Sequence, residues 1–95
     1  MANKHKGSTF DSFLVEEGLF DEVEATAIKR VIAYEIEQAM EKKHITKNNM
    51  AKRLRTSRSA IERLLDPENT SITLRTLVKV SHILGKKLEF SLAPV

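Results

Sequence analysis

Thr46 to Leu65 read TKNNMAKRLRTSRSAIERLL, and the order of apolar and polar residues in this stretch decides the fold. Met50 and Leu54 are spaced as neighbours on one helix face, and so are Ile61 and Leu64. Between the two pairs lies a polar run, Arg55, Thr56 and Ser57. Thr46 and Ser57 carry hydroxyl oxygens that can accept from the unpaired N–H groups of a helix's first turn. The pattern predicts two short helices, Lys47 to Leu54 and Arg58 to Leu65, joined by a three-residue turn. Ala51 is small where the second helix must cross the first closely.

Such a pair is a helix-turn-helix, and its second helix turns Ser57, Arg58, Ser59, Glu62 and Arg63 outward, between the apolar positions. These side chains suit base edges. Arginine forks onto guanine O6 and N7, serine serves donor or acceptor edges, and glutamate accepts from cytosine N4. Glu62 also stands four residues after Arg58, where it can form an ion pair within the helix. Thr46 and Lys47 open the first helix, whose N–H groups and positive dipole end favour a phosphate, and Lys52, Arg53 and Arg55 add counter-charge.

Working outward, Phe10, Phe13 and Leu14 followed by Gly18 predict a short amphipathic helix that stops at the glycine. A second, long helix is expected from an Asp21 N-cap to about Lys43, without internal Gly or Pro. It carries two apolar stripes, Ile28, Ile32, Ile36, Ala39 and Met40 on one side and Val23, Ala27, Val31 and Tyr34 on another. After the pair, Thr73 caps a helix from Leu74 to Leu84 that ends at Gly85, and Pro67 separates it from the preceding one. Leu88, Phe90 and Leu92 alternate with Glu89 and Ser91 as a short strand does. The expected fold class is mainly α: a helix-turn-helix bundle of about five helices with a short C-terminal β-strand.

Ninety-five residues are one small domain with a thin core, which favours a binding module over an enzyme with its own cleft. Without cysteine there is no disulfide scaffold and no thiolate zinc site. His5, His44 and His82 stand far apart, and there is no HExxH, glycine-rich phosphate loop or serine elbow, so no enzyme activity, metal or cofactor is expected. With no apolar leader segment and no long apolar run, a cytoplasmic location without a membrane partner is expected. The net charge of +3 conceals an axis. Residues 1–26 hold two lysines and six acids, a net −4, whereas residues 44–95 hold ten bases and four acids, a net +6. Six of those bases fall between Lys47 and Arg63. Two opposed surfaces facing two kinds of partner are expected.

On these residues the stretch from about Ile32 to Gly85 resembles the XRE (Cro/cI-type) helix-turn-helix family. The resemblance implies base reading by Ser57, Arg58, Ser59 and Arg63. It places phosphate contacts at Thr46 and Lys47 and on the following loop at Asn69, Thr70 and Ser71. One departure stands out: the turn position commonly held by glycine is Arg55, which must adopt or avoid a left-handed backbone. The wider layout, an acidic leader over 1–22, the XRE-type domain over 23–85 and a strand or tail over 86–95, is similar to HigA-like antitoxins. That likeness implies a sequence-specific repressor of its own operon that neutralises a basic RelE/HigB-like ribonuclease. A stand-alone phage-repressor-like regulator and an adaptor that does not bind DNA are the alternatives. Because one recognition helix buries little surface, a homodimer on an inverted repeat of duplex DNA is expected. Candidate partner or dimer surfaces are Phe10, Phe13, Leu14, Leu19 and Phe20 in the leader, Val23, Val31 and Tyr34 on the long helix, and Leu88, Phe90 and Leu92 at the end.

Overall fold

The structure, a computed structural model, describes residues 10–94, with side chains from Phe20 onward. Four helices follow one another: α1 (Phe10–Lys42), α2 (Lys47–Leu54), α3 (Arg58–Leu64) and α4 (Leu74–Ile83). Each of the three short helices begins where a hydroxyl was expected to cap it. Thr46 Oγ1 accepts from Asn49 N at 3.1 Å, Ser57 Oγ from Ala60 N at 3.1 Å and Thr73 Oγ1 from Thr76 N at 3.2 Å.

Two expectations are corrected. The predicted stop at Gly18 and restart at Asp21 do not occur, because α1 runs through both in 33 residues, so the described residues form four helices and not five. A glycine inside a helix costs about 1 kcal/mol, too little to end one unless the chain also turns left-handed there. The predicted C-terminal strand is also absent: residues 86–94 form no regular element, and there is no strand among the described residues. Alternation of apolar residues sets which way side chains face, but a strand exists only with a neighbour to take its hydrogen bonds.

The core is built where the four helices converge. Met50 of α2, Ile61 of α3 and Val80 of α4 are fully buried, and Ile36, Ala39 and Met40 of α1, with Ile45, Ala51, Leu64 and Leu84, surround them. Helix α2 packs on both α3 and α4, and the small Ala51 permits the close crossing. Of the two apolar stripes of α1, one covers this core through Ile32, Ala33, Ile36, Ala39 and Met40. Ile28, assigned to the same stripe, is instead 55 % exposed. The other stripe lies in the open.

Backbone geometry at the helix ends fixes how the elements meet. Beyond α1, His44 is left-handed at φ 56°, and Ile45 N donates back to Met40 O at 2.9 Å. Arg55 closes α2 in the same way at φ 58° and ψ 50°, with Thr56 N donating to Ala51 O at 2.9 Å. Gly85 at φ 69° repeats the motif after α4.

Candidate nucleic-acid interface

Helix α3 offers one polar face. Ser57, Arg58, Ser59, Glu62 and Arg63 are all exposed, while Ile61 and Leu64 on the opposite side are buried. Arg58 is held in place: its Nε lies 3.3 Å from Glu62 Oε2, and one terminal nitrogen donates to Asn48 Oδ1 at 3.4 Å. Glu62 is therefore the intrahelical partner of Arg58, and Asn48 joins the same surface from α2. Sequence reasoning missed Asn48, because only the crossing of α2 and α3 brings residues ten apart together. The Ser57 oxygen already accepts the capping bond from Ala60, which leaves its hydroxyl hydrogen to donate.

Basic groups rim this face. Lys47 and Thr46 stand at the start of α2, with Arg53 and Arg55 exposed at its end. Arg55 and Arg63 also line, with Asn69, Ser71, Thr73 and Lys79, a shallow groove that runs between α3, the following loop and α4.

That loop is tied down tightly. Asp66 Oδ1 accepts from Glu68 N at 2.9 Å, Asn69 Oδ1 accepts from Ser71 N at 3.0 Å, and Asn69 N donates to Asp66 O at 3.0 Å. Thr70 and Ser71 are exposed at its tip. Asn69 thus shapes the loop with its side-chain oxygen, and its amide hydrogens remain as donors.

The largest omission of sequence reasoning is Lys29. Only 2 % exposed, it crosses from α1 and donates through Nζ to the carbonyls of Arg63 at 3.3 Å, Asp66 at 2.7 Å and Asn69 at 2.5 Å. Three ammonium protons meet three carbonyl oxygens at the C-terminal end of α3, where the helix dipole also favours a cation. Burial lowers its pKa below the ordinary 10.5, an effect opposed by the Asp66 carboxylate. Lys29 thus ties the C-terminal end of α3 and the loop beside it to α1, in addition to the apolar core they share. A signal was present, since Lys29 precedes Ile32 and Ile36 by three and seven residues on the face that covers the core.

Comparison with known families matches residues 35–89 to the Cro/C1-type HTH DNA-binding domain, more than half of the chain. The chain belongs to that family. No curated protein and no solved structure gives a significant match. As a Cro/C1-type domain the chain is a DNA-binding transcription regulator, and the matched span contains α2, α3, the loop and α4. No helix among the described residues is long and apolar enough to cross a membrane.

The left-handed Arg55 is a strained choice for this Cro/C1-type turn. A side chain in that conformation costs about 1–2 kcal/mol, part of which glycine returns through its freer unfolded state. Arg55→Gly is therefore expected to raise the unfolding free energy by about 0.5–1 kcal/mol, measured by urea denaturation. A lower midpoint would show that the guanidinium contributes more to the fold than its backbone strain removes.

Of the remaining surfaces read from sequence, Phe20, Val23, Val31, Tyr34, Phe90 and Leu92 are exposed. Leu88 is half-buried in an apolar groove shared by α1 and α4. The side chains of Phe10, Phe13, Leu14 and Leu19 lie outside the described residues.

Proposed function

We propose that this regulator is a dimeric, sequence-specific repressor of its own operon and the antitoxin of a type II toxin-antitoxin module. The observation that carries the repressor reading is the exposed face of α3, two arginines and two serines with one acid, surrounded by bases and backed by a buried core. Ser57, Arg58, Ser59 and Arg63 read base edges in the major groove with Glu62 positioning Arg58 on the same face, while Thr46, Lys47, Arg53, Arg55, Asn69, Thr70 and Ser71 hold the backbone. The protein binds and does not catalyse. Support for the antitoxin role comes from charge: the net −4 of residues 1–26 suits a basic ribonuclease, opposite in sign to the DNA-facing half.

Two experiments test this. Duplex DNA from the protein's own promoter should shift in a binding assay, and Lys47→Ala should weaken all duplexes alike and reduce the slope of log affinity against log salt by about 1. An unchanged slope would remove Lys47 from the phosphate contacts. Purification of the complex from the native operon should recover a small basic protein that cleaves RNA when freed. Recovery of the chain alone, beside a gene encoding no such protein, would remove the antitoxin role and leave the repressor.

A further inference from the structure

The stripe of α1 that does not cover the core is apolar and open. Phe20 is 67 % exposed, Val23 65 %, Val31 59 % and Tyr34 60 %, and Ala27 is exposed between them. At 3.6 residues per turn all five fall on one side of the helix, across about 21 Å of its length. Lys29, which holds α3, points the opposite way, two residues and about 200° from Ala27.

The order of this stripe reads the same in both directions. Phe20 and Tyr34 stand seven residues either side of Ala27, and Val23 and Val31 stand four either side. An aromatic opposes an aromatic, valine opposes valine, and alanine falls at the centre, where two helices must approach most closely. A two-fold axis through Ala27 satisfies every one of these pairings, which is the self-complementarity that an isologous contact demands. Of the charged residues along the stripe, Glu24 borders it three residues before Ala27 and Arg30 three after, while Glu35 and Glu37 lie beyond Tyr34, so antiparallel copies set the half of each that holds Glu24 along the half of the other that holds Arg30.

We propose that this face of α1 binds a second copy of the chain, antiparallel, with the two-fold axis at Ala27. An aromatic side chain presents roughly 150–250 Å² when fully exposed, so the stripe and its margins offer on the order of 500–600 Å² per copy. Two copies together then bury about 1,000–1,200 Å², the lower edge of stable interfaces. The pairing also fits the DNA-binding reading, on which this part of the argument rests. Packed helices lie 8–10 Å apart, and Lys29 spans about the same distance from the α1 axis to the end of α3. Crossing from one α3 end through both α1 helices to the other therefore covers roughly 30 Å, close to the 34–36 Å that separates half-sites one DNA turn apart.

The chain has no cysteine, so disulfide cross-linking reads the register directly. In the full-length protein, oxidised Ala27→Cys should form a covalent dimer, since residues on the axis come within disulfide range. Val31→Cys alone should not. A mixture of Val23→Cys and Val31→Cys chains should give the crossed dimer. Ala27→Glu, a good helix former on an exposed site, should keep its helical circular dichroism while placing like charges face to face, weakening dimerisation by at least about 100-fold in sedimentation equilibrium. A monomeric wild-type chain at micromolar concentration, an Ala27→Glu dimer of unchanged affinity, or cross-linking of Val31→Cys with itself would overturn the proposal. None of these readouts uses DNA, so their failure would leave the DNA-binding reading standing.

Discussion

Lys29→Met is expected to lower the unfolding free energy by about 2–3 kcal/mol and to loosen the end of α3 and the loop after it before the rest of the fold. Methionine keeps the length and most of the volume of the lysine stem, so little cavity forms. What is lost is three charge-assisted hydrogen bonds to Arg63 O, Asp66 O and Asn69 O. The gross value of such bonds is larger, but two terms reduce it. Arg63 O and Asp66 O each retain a backbone donor, Asp66 N at 3.2 Å and Asn69 N at 3.0 Å. Removing a buried ammonium also returns its desolvation penalty. The effect should be local: amide exchange should accelerate most from Leu65 to Ser71 and least at Met50 and Val80, which lie fully inside the core. Uniform acceleration, or an unchanged midpoint, would show that Lys29 fills space without holding α3.

The sign of the pH effect follows from the same side chain. Burial places the pKa of Lys29 in the folded protein below the 10.5 of the free group, so the unfolded chain holds this proton more tightly. Its contribution to stability therefore rises with pH across the interval from the folded value up to 10.5, and Lys29→Met should abolish that component.

The second large effect is expected on DNA. Arg63→Ala should cost about 2–3 kcal/mol on the preferred site, and Arg58→Ala about 1–2 kcal/mol, with base preference relaxed at one position in each case. The two arginines differ in what they give up on binding. Arg58 must leave, or share, Glu62 at 3.3 Å and Asn48 at 3.4 Å, whereas Arg63 makes no ion pair among the described residues. Glu62 and Asn48 hold Arg58 ready, so Glu62→Ala should weaken preference at the Arg58 position without matching the loss from Arg63→Ala. Equal losses on all sequences would make these residues phosphate contacts and not readers.

Local chemistry was legible in the sequence. The caps at Thr46, Ser57 and Thr73 follow from hydroxyls placed just before apolar-periodic runs, and the buried set of Met50, Ala51, Ile61 and Leu64 follows from helical spacing. The outward arginines and serines of α3 follow from the same spacing. What was not legible depended on distant partners. Gly18 reads as a stop only if the chain turns there, and Leu88 to Leu92 read as a strand only if an edge exists to pair with. The spacing of Lys29 put it on the core-covering face of α1, but its acceptors lie 34 to 40 residues away. The left-handed Arg55 lay between: the resemblance marked the position as one that prefers glycine, and the structure shows the arginine adopting the conformation.

Selection from random duplexes separates base reading by α3 from phosphate contact, with wild type, Arg58→Ala and Arg63→Ala run in parallel at one salt concentration. The wild type should select an inverted repeat, its half-sites about one helical turn apart, and each variant should lose information at a different position. No enriched sequence for the wild type, or the same sequence enriched equally by all three proteins, would contradict the assignment of α3 as the element that reads DNA.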